Sequence, residues 1–143
     1  MLFGKRERAI RRILIVEDEA LVAFDNEHLL REAGYDIAAT VDTLADAVRV
    51  LGEDGGIDLI LSDINLSGEG DGMDVARVAA ARKVPVLFVT ANCPIEARGL
   101  GLGCLAKPYT DKMLKNALDA VEKTLRGEKV KKLPTGLSLY EAA

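Results

Sequence analysis

Five polar side chains of this sequence lie at the ends of short, mostly apolar runs: Glu17, Asp18, Asp63, Thr90 and Lys107. Three of them are carboxylates, and oxygen ligands of this kind suit a hard cation such as Mg²⁺. A carboxylate can also act as a nucleophile and become an aspartyl phosphate. A metal ion and a lysine can then neutralise the charge on the transferring group. These residue types therefore suit phosphoryl transfer, provided that the fold brings them together.

Four short, mostly apolar runs precede these side chains and predict buried β-strands: 13–16, 59–62, 86–89 and 102–106. Helical patterns separate the runs, and strands that alternate with helices predict right-handed βαβ units in a doubly wound parallel α/β sheet. The carboxyl ends of parallel strands lie along one edge of such a sheet, and ligands bind there where the strand order reverses. We therefore expect the three carboxylates, the hydroxyl and the ammonium to meet in one crevice.

Each of these side chains also has a simpler interpretation. Glu17 and Asp18 can cap a helix or remain solvated. Lys107 can be an ordinary surface residue, and Thr90 can serve its strand simply as a β-branched residue. The combination favours a Mg²⁺ site, because three carboxylates in one cleft repel one another unless a cation neutralises them. Asp63 stands alone at its strand end and is the natural nucleophile, which leaves the adjacent acids as the metal pair.

The composition limits the classes of function. The chain has 143 residues, 49% hydrophobic and 29% charged, which fits one globular domain. A formal net charge of -4 argues against a nucleic-acid-binding surface. No apolar stretch approaches the roughly 18 residues that a membrane span needs. We expect a cytoplasmic protein with neither nucleic acid nor membrane as a partner.

The pattern of elements predicts three parts along the chain. Residues 1–10 are expected to be a mobile lead-in, 11–126 the folded domain, and 127–143 an irregular or loosely docked tail. Helical spacing predicts a last helix that begins after Thr110 as its N-cap. The segment 94–100 suits only a short, mobile helix, because the glycines around it disfavour helix formation.

The two cysteines carry no recognisable site signature. Cys93 and Cys104 have neither a metal-ligand spacing nor the pattern of a disulfide framework. We expect them to be small buried apolar residues rather than redox sensors. The only histidine, His28, is expected near the exposed side of the first helix.

Over about residues 11–126 the sequence resembles the receiver domain of two-component response regulators. The resemblance rests on four motifs in the family's order: Ile-Leu-Ile-Val-Glu-Asp-Glu at 13–19, Leu-Ile-Leu-Ser-Asp at 59–63, Val-Thr-Ala at 89–91 and Leu-Ala-Lys-Pro-Tyr at 105–109. It implies a flavodoxin-like fold with a five-stranded parallel sheet of order 2-1-3-4-5 and helices on both faces. It also implies a response regulator of the stand-alone, single-domain type.

The resemblance implies a role for each residue of the crevice. Asp63 would accept a phosphoryl group from a phosphohistidine on a sensor histidine kinase or a histidine phosphotransfer protein, and Lys107 and Thr90 would hold the phosphate. One departure stands out. The family usually carries an aromatic residue three positions before the lysine, where this chain has Cys104. The usual coupling between that aromatic residue and the threonine is therefore not implied for this chain.

The same resemblance implies the Mg²⁺ ligands. Asp18 would bind the ion directly, and Glu17 would bind it at least through water. Asp63 and the backbone carbonyl of Asn65 would complete the protein ligands. At most, such a protein catalyses its own phosphotransfer and autodephosphorylation.

Two functions remain open from the sequence. The first is a phosphorelay receiver that signals by protein–protein contact or passes phosphate between histidine proteins. The second is a receiver-like binding or scaffold module whose output ignores phosphorylation, and Asp63→Asn would separate the two. A phosphatase of the haloacid dehalogenase type is disfavoured, because its second aspartate would stand where Asn65 is.

Overall fold

Apolar strands and amphipathic helices alternate along the chain in the computed structural model, which describes residues 8–140. The strands are β1 (Arg12–Val16), β2 (Asp36–Val41), β3 (Leu59–Ser62), β4 (Val86–Thr90), β5 (Gly103–Ala106) and β6 (Leu137–Leu139). The α-helices are α1 (Ala20–Glu32), α2 (Leu44–Glu53), α3 (Gly72–Ala81) and α4 (Asp111–Leu125), and a 3₁₀ helix spans Ile95–Gly99. The six strands form one sheet of order β2-β1-β3-β4-β5-β6, and helices pack on both of its faces.

The strands build a hydrophobic core on each face of the sheet, because successive residues of a strand point to opposite faces. In β1, Ile13 and Ile15 join the core that contains residues of α1 and α4. Leu14 and Val16 join the core that contains residues of α2 and α3. Strands β1 to β5 pair in parallel. The flavodoxin-like α/β fold with order 2-1-3-4-5 is therefore confirmed.

Side-chain caps set the starts of three helices. The Thr43 and Thr110 hydroxyl oxygens accept backbone N–H groups of the first turns of α2 and α4. Asp71 and Asp74 form a capping box at the start of α3. Each cap satisfies backbone donors that the helix itself cannot, which fixes where the helix begins. The predicted N-cap role of Thr110 is confirmed.

The tail corrects one expectation. Residues 127–143 were expected to be irregular or loosely docked, but Leu137–Leu139 form β6, antiparallel to the edge strand β5. Gly103 permits this approach, because a Cβ there would lie 2.2 Å from the carbonyl oxygen of Ser138. An open strand edge offers unpaired backbone groups to any nearby segment. A three-residue strand has too little pattern to predict that pairing from sequence.

The structure also corrects part of the expectation that residues 1–10 are a mobile lead-in. Residues 1–7 lie outside the described residues, but 9 and 10 are anchored rather than mobile. The backbone N–H groups of Ala9 and Ile10 donate to the Glu122 carboxylate at 2.8 and 2.9 Å. Ile10 is fully buried. The attachment depends on a side chain of α4, which is remote in sequence.

We call residues 91–102, between β4 and β5, the crossover. The short helix expected at 94–100 is a 3₁₀ helix of five residues. The expected burial is confirmed for Cys104, but Cys93 is exposed and the two cysteines form a disulfide that was not expected. The short crossover folds back so that their Cα atoms lie 6.1 Å apart, within disulfide range. Their sequence separation of 11 residues does not reveal this distance.

Two further expectations concern the exposure of His28 and the absence of a membrane span. His28 is largely exposed and pairs with Glu32 one helical turn later, at 2.7 Å. Within residues 8–140, no helix combines the length and apolar character of a membrane span.

Candidate functional site

Three carboxylates meet at the carboxyl ends of β1 and β3. Glu17 and Asp18 follow β1, and Asp63 follows β3, where Val16 and Ser62 are in register. One oxygen from each carboxylate lies within 4.8 Å of the other two. We call Glu17, Asp18 and Asp63 the acid cluster. The convergence predicted from the sequence is present at this edge of the sheet.

Lys107 joins the acid cluster from the end of β5. Its Nζ lies 2.7 Å from Asp63 Oδ2 and 3.0 Å from Glu17 Oε1. A third carboxylate, Glu19, approaches the same nitrogen at 2.9 Å. Burial opposes the charge of Lys107, but its hydrogen bonds to Asp63 and Glu19 and the nearby negative charge of Glu17 outweigh that penalty and raise the pKa of the ammonium. Lys107 is therefore a fixed positive charge at neutral pH.

Glu17 is the most buried member of the acid cluster, with 3% of its surface exposed. Its Oε2 accepts the Glu19 backbone N–H at 3.0 Å. Its Oε1 is an ion-pair partner of Lys107, but the geometry is not that of a hydrogen bond, which leaves this buried oxygen without a hydrogen-bond partner. Burial raises the pKa of Glu17 and the charge of Asp63 adds to it, although Glu19 and Lys107 act in the opposite direction.

Both carboxylate oxygens of Asp63 are fixed. Oδ1 accepts the backbone N–H of Asn65 at 3.1 Å, and Oδ2 faces Lys107. The start of α3 packs directly on its backbone: a Cβ at Gly72 would lie 2.1 Å from the Asp63 carbonyl oxygen. Only 5% of Asp63 is exposed. The side chain is thus a nucleophile candidate held in one orientation.

Thr90 ends β4 beside the acid cluster and is 2% exposed. Its carbonyl oxygen accepts the Lys107 backbone N–H at 2.8 Å, so the two residues are joined through the backbone. The Lys107–Pro108 peptide bond is cis. Asn65, whose backbone carbonyl was expected to bind Mg²⁺, lies exposed next to the cluster.

Two features of the site were missed by sequence reasoning. Glu19 was given no role, although it directly follows the acidic pair, and that position was the available signal. The second is a hydrogen bond of 2.8 Å from Asn26 Nδ2 to the Tyr109 hydroxyl, which ties the loop after Lys107 to α1. Asn26 is only 5% exposed. A polar residue among the apolar positions of α1 was the signal for this contact.

The residues present fit a magnesium ion. The donors are oxygens alone, which suits Mg²⁺ and not a thiolate- or imidazole-preferring metal. Three carboxylates contact the Lys107 ammonium and Asp18 completes the acid cluster, so the site carries an excess of negative charge. The buried Glu17 Oε1, which has no hydrogen-bond partner, offers a ligand position that a cation would satisfy. A cleft of about 440 Å³ next to the site has Glu19 and Lys107 in its walls.

The family model of the response regulator receiver domain matches residues 13–119, and the chain belongs to this family. It is 38% identical over 80 residues to the phyllosphere-induced regulator PhyR of Methylorubrum extorquens, covering 55% of this chain and 30% of PhyR. It is 36% identical over 106 residues to the transcriptional regulatory protein PdtaR of Mycobacterium tuberculosis, covering 70% of this chain and 51% of PdtaR. The chain thus spans about half of PdtaR and a smaller part of PhyR.

A solved structure with the same fold carries a metal ion. The receiver domain of the sensor histidine kinase PA1611 from Pseudomonas aeruginosa PAO1 is 28% identical to this chain, with a TM-score of 0.67. The match covers 83% of this chain and 99% of that domain. Magnesium is coordinated in the active site cleft of that protein.

Proposed function

We propose that this chain is a phosphoacceptor in a two-component or phosphorelay system, with Asp63 as the acceptor. One observation carries the proposal: the Asp63 carboxylate lies 2.7 Å from the Lys107 ammonium and within the acid cluster. A nucleophilic carboxylate, a fixed cation and a set of metal ligands are the three parts that this reaction needs.

The proposed step is an in-line transfer. An oxygen of Asp63 attacks the phosphorus of a phosphohistidine, and a new O–P bond forms. The P–N bond breaks, and its electron pair returns to the imidazole, which takes up a proton. Lys107 is close enough to Asp63 to reach a phosphoryl oxygen, and its raised pKa keeps it charged throughout. Thr90 would donate its hydroxyl to another phosphoryl oxygen.

The proposed metal ligands are Glu17, Asp18, Asp63 and the backbone carbonyl of Asn65. Bound Mg²⁺ would supply charge neutralisation on the oxygens of the transferring group. The chain's own contribution is to hold the carboxylates together against their repulsion, through burial of Glu17 and the ion pairs of Lys107. The fit of the oxygen donors to Mg²⁺ supports this assignment.

The proposed partners are a sensor histidine kinase or a histidine phosphotransfer protein as donor, with a protein target downstream and a cytoplasmic location. The competing function is a binding or scaffold module that works without phosphorylation. It shares the fold, and it differs in requiring no reaction at Asp63.

Intact mass after incubation with acetyl phosphate tests the proposal. We expect a single phosphoryl adduct on the wild type when Mg²⁺ is present, and none when a chelator removes it. Asp63→Asn should give no adduct, whereas Asp119→Asn, an exposed carboxylate on α4, should behave like the wild type. A folded, Mg²⁺-binding wild type without an adduct would favour the scaffold function instead.

A further inference from the structure

The two cysteines of the disulfide lie, along the sequence, at equal distances from two residues of the proposed site. Cys93 comes three residues after Thr90, and Cys104 comes three residues before Lys107. Thr90 and Lys107 are themselves joined by the backbone hydrogen bond of 2.8 Å. The disulfide therefore closes a loop within the chain. Three residues beyond each end of this loop lie Thr90 and Lys107, which are proposed to hold the phosphoryl group.

The crossover is held unevenly. At its end, Leu100 and Leu102 pack against the core and the Leu102 N–H donates to the Val86 carbonyl oxygen at 2.8 Å, whereas its beginning is exposed. Its only helix is the five-residue 3₁₀ helix, and within that helix Ala97 alone is buried. Ile95 is exposed at 74%. Cys104, in contrast, is fully buried in the core with Phe88, its partner in register on β4. The disulfide thus ties the exposed beginning of the crossover to a buried strand, and its loss would leave that part with fewer restraints.

The two sulfurs differ in access. Cys93 is exposed and lies in the wall of a cleft of about 540 Å³, beside Arg98 and Tyr140. Cys104 is buried in the core. Thiol–disulfide exchange requires an attacking thiolate to reach a sulfur atom, so an external thiol can reach the disulfide only on the Cys93 side. Arg98 supplies a positive charge at that opening, which favours an approaching thiolate.

We propose that Cys93 and Cys104 form a reversible dithiol–disulfide site that reacts with low-molecular-weight thiols and disulfides and sets the mobility of the crossover. The oxidised state holds Thr90 and Lys107 in the arrangement described above, and the reduced state releases the crossover. The effect on phosphorylation rests on the proposed function of Asp63, whereas the effect on mobility does not.

The exchange balances with glutathione as the reagent. A glutathione thiolate attacks the Cys93 sulfur, the protein S–S bond breaks, and Cys104 leaves as a thiolate that takes up a proton. A second glutathione thiolate attacks the mixed disulfide and releases Cys93 as a thiol and glutathione disulfide. The protein gains two electrons and two protons, and two glutathione molecules lose them. Glutathione disulfide drives the reverse reaction.

The first test measures the site without reference to phosphorylation. Native protein is equilibrated with glutathione or with glutathione disulfide and quenched with acid. It is then unfolded, and its thiols are titrated with an alkylating reagent. We expect two alkylated cysteines after reduction and none after oxidation, with any trapped glutathione on Cys93. A disulfide that forms or breaks only after denaturation would overturn the proposal, as would a mixed disulfide on Cys104.

The second test measures the crossover by amide exchange. In the reduced protein, peptides from 91–102 should exchange faster than in the oxidised protein, while peptides from α2 should not change. Cys93→Ser should match the reduced wild type under both conditions, since its remaining cysteine is buried. Equal exchange of the crossover in both redox states would overturn the proposed control of mobility.

The third test links the site to Asp63. With acetyl phosphate and Mg²⁺, we expect the reduced protein to accept phosphoryl about tenfold more slowly than the oxidised protein, because Lys107 and Thr90 are less well positioned. Equal rates would overturn the coupling. If neither state forms an adduct, the proposed function of Asp63 fails, and the first two tests still decide whether the redox site exists.

Discussion

The crossover begins at the sheet edge where the acid cluster lies, but the two regions are held in different ways. The acid cluster sits at the ends of buried parallel strands, and the Lys107 ammonium offsets its charge repulsion. The crossover has a short 3₁₀ helix, one disulfide and the nearby strand β6. The core fixes the position of the acid cluster, so the interactions between its charges decide how much the cluster stabilises or destabilises the fold. The crossover is held by a covalent bond and a strand edge, so a reaction at the exposed sulfur of Cys93 can change its mobility.

The largest expected effect comes from removing the cation of the acid cluster. Lys107→Met should slow phosphorylation by acetyl phosphate about 100-fold, because no fixed charge remains to stabilise the transferring group. It should also lower the free energy of unfolding by about 2 kcal/mol, since buried carboxylates lose their partner. Lys112→Met, on an exposed position of α4, is the matched control. A rate within twofold of the wild type would show that Lys107 is structural only.

Glu17→Gln should separate metal binding from stability. Without the buried carboxylate, Mg²⁺ affinity measured by calorimetry should fall about tenfold or more. In the absence of Mg²⁺ the variant should melt several degrees above the wild type, because the repulsion with Asp63 and the burial of a charge are both removed. Unchanged Mg²⁺ affinity would remove Glu17 from the ligand set.

The difference in stability between Glu17→Gln and the wild type should depend on pH in a defined direction. Burial raises the pKa of Glu17 above its ordinary value of 4.5, so the folded state binds the proton more tightly than the unfolded state. Stability is therefore lost as pH rises from the ordinary value through the raised one. Without Mg²⁺, the stability advantage of Glu17→Gln should grow over that interval and then level off in urea titrations. An advantage that shrinks with rising pH would contradict this account.

In the second region, Gly103→Ala should release the tail. The new methyl group would overlap the Ser138 carbonyl oxygen, and β6 would separate from β5 at a cost of about 1–3 kcal/mol. Amide exchange at 137–139 should become fast while β1 and β3 stay protected. Gly55→Ala, where a Cβ meets nothing within 4 Å, is the matched control. Protection at 137–139 equal to that of the control would show that the strand edge tolerates the methyl group.

The smallest effect is expected at the contact between the Lys107 loop and α1. Tyr109→Phe removes the acceptor of the Asn26 amide and leaves that buried donor unpaired, which should cost about 1 kcal/mol. The phosphorylation rate should change by less than that of Lys107→Met. A larger loss of rate than of stability would instead assign Tyr109 a role in positioning Lys107.

The two regions also differ in how far the sequence predicts them. Glu17, Asp18, Asp63 and Lys107 follow strongly apolar runs, and the parallel sheet converts that local pattern into a common edge. The Cys93–Cys104 bond and the pairing of β6 depend on the path of loops, which short sequence patterns do not encode. Glu19 lies between these cases, because its position was evident but its contact with Lys107 depends on how α1 begins.

The central claim, that Asp63 is the phosphoacceptor, is tested most directly by mapping the modified residue. The protein is treated with acetyl phosphate and Mg²⁺, reduced with borohydride and digested. An acyl phosphate on Asp63 is converted to homoserine, so this account predicts that product at position 63 and at no other aspartate. Homoserine at a different position, or a stable phosphate elsewhere, would contradict it.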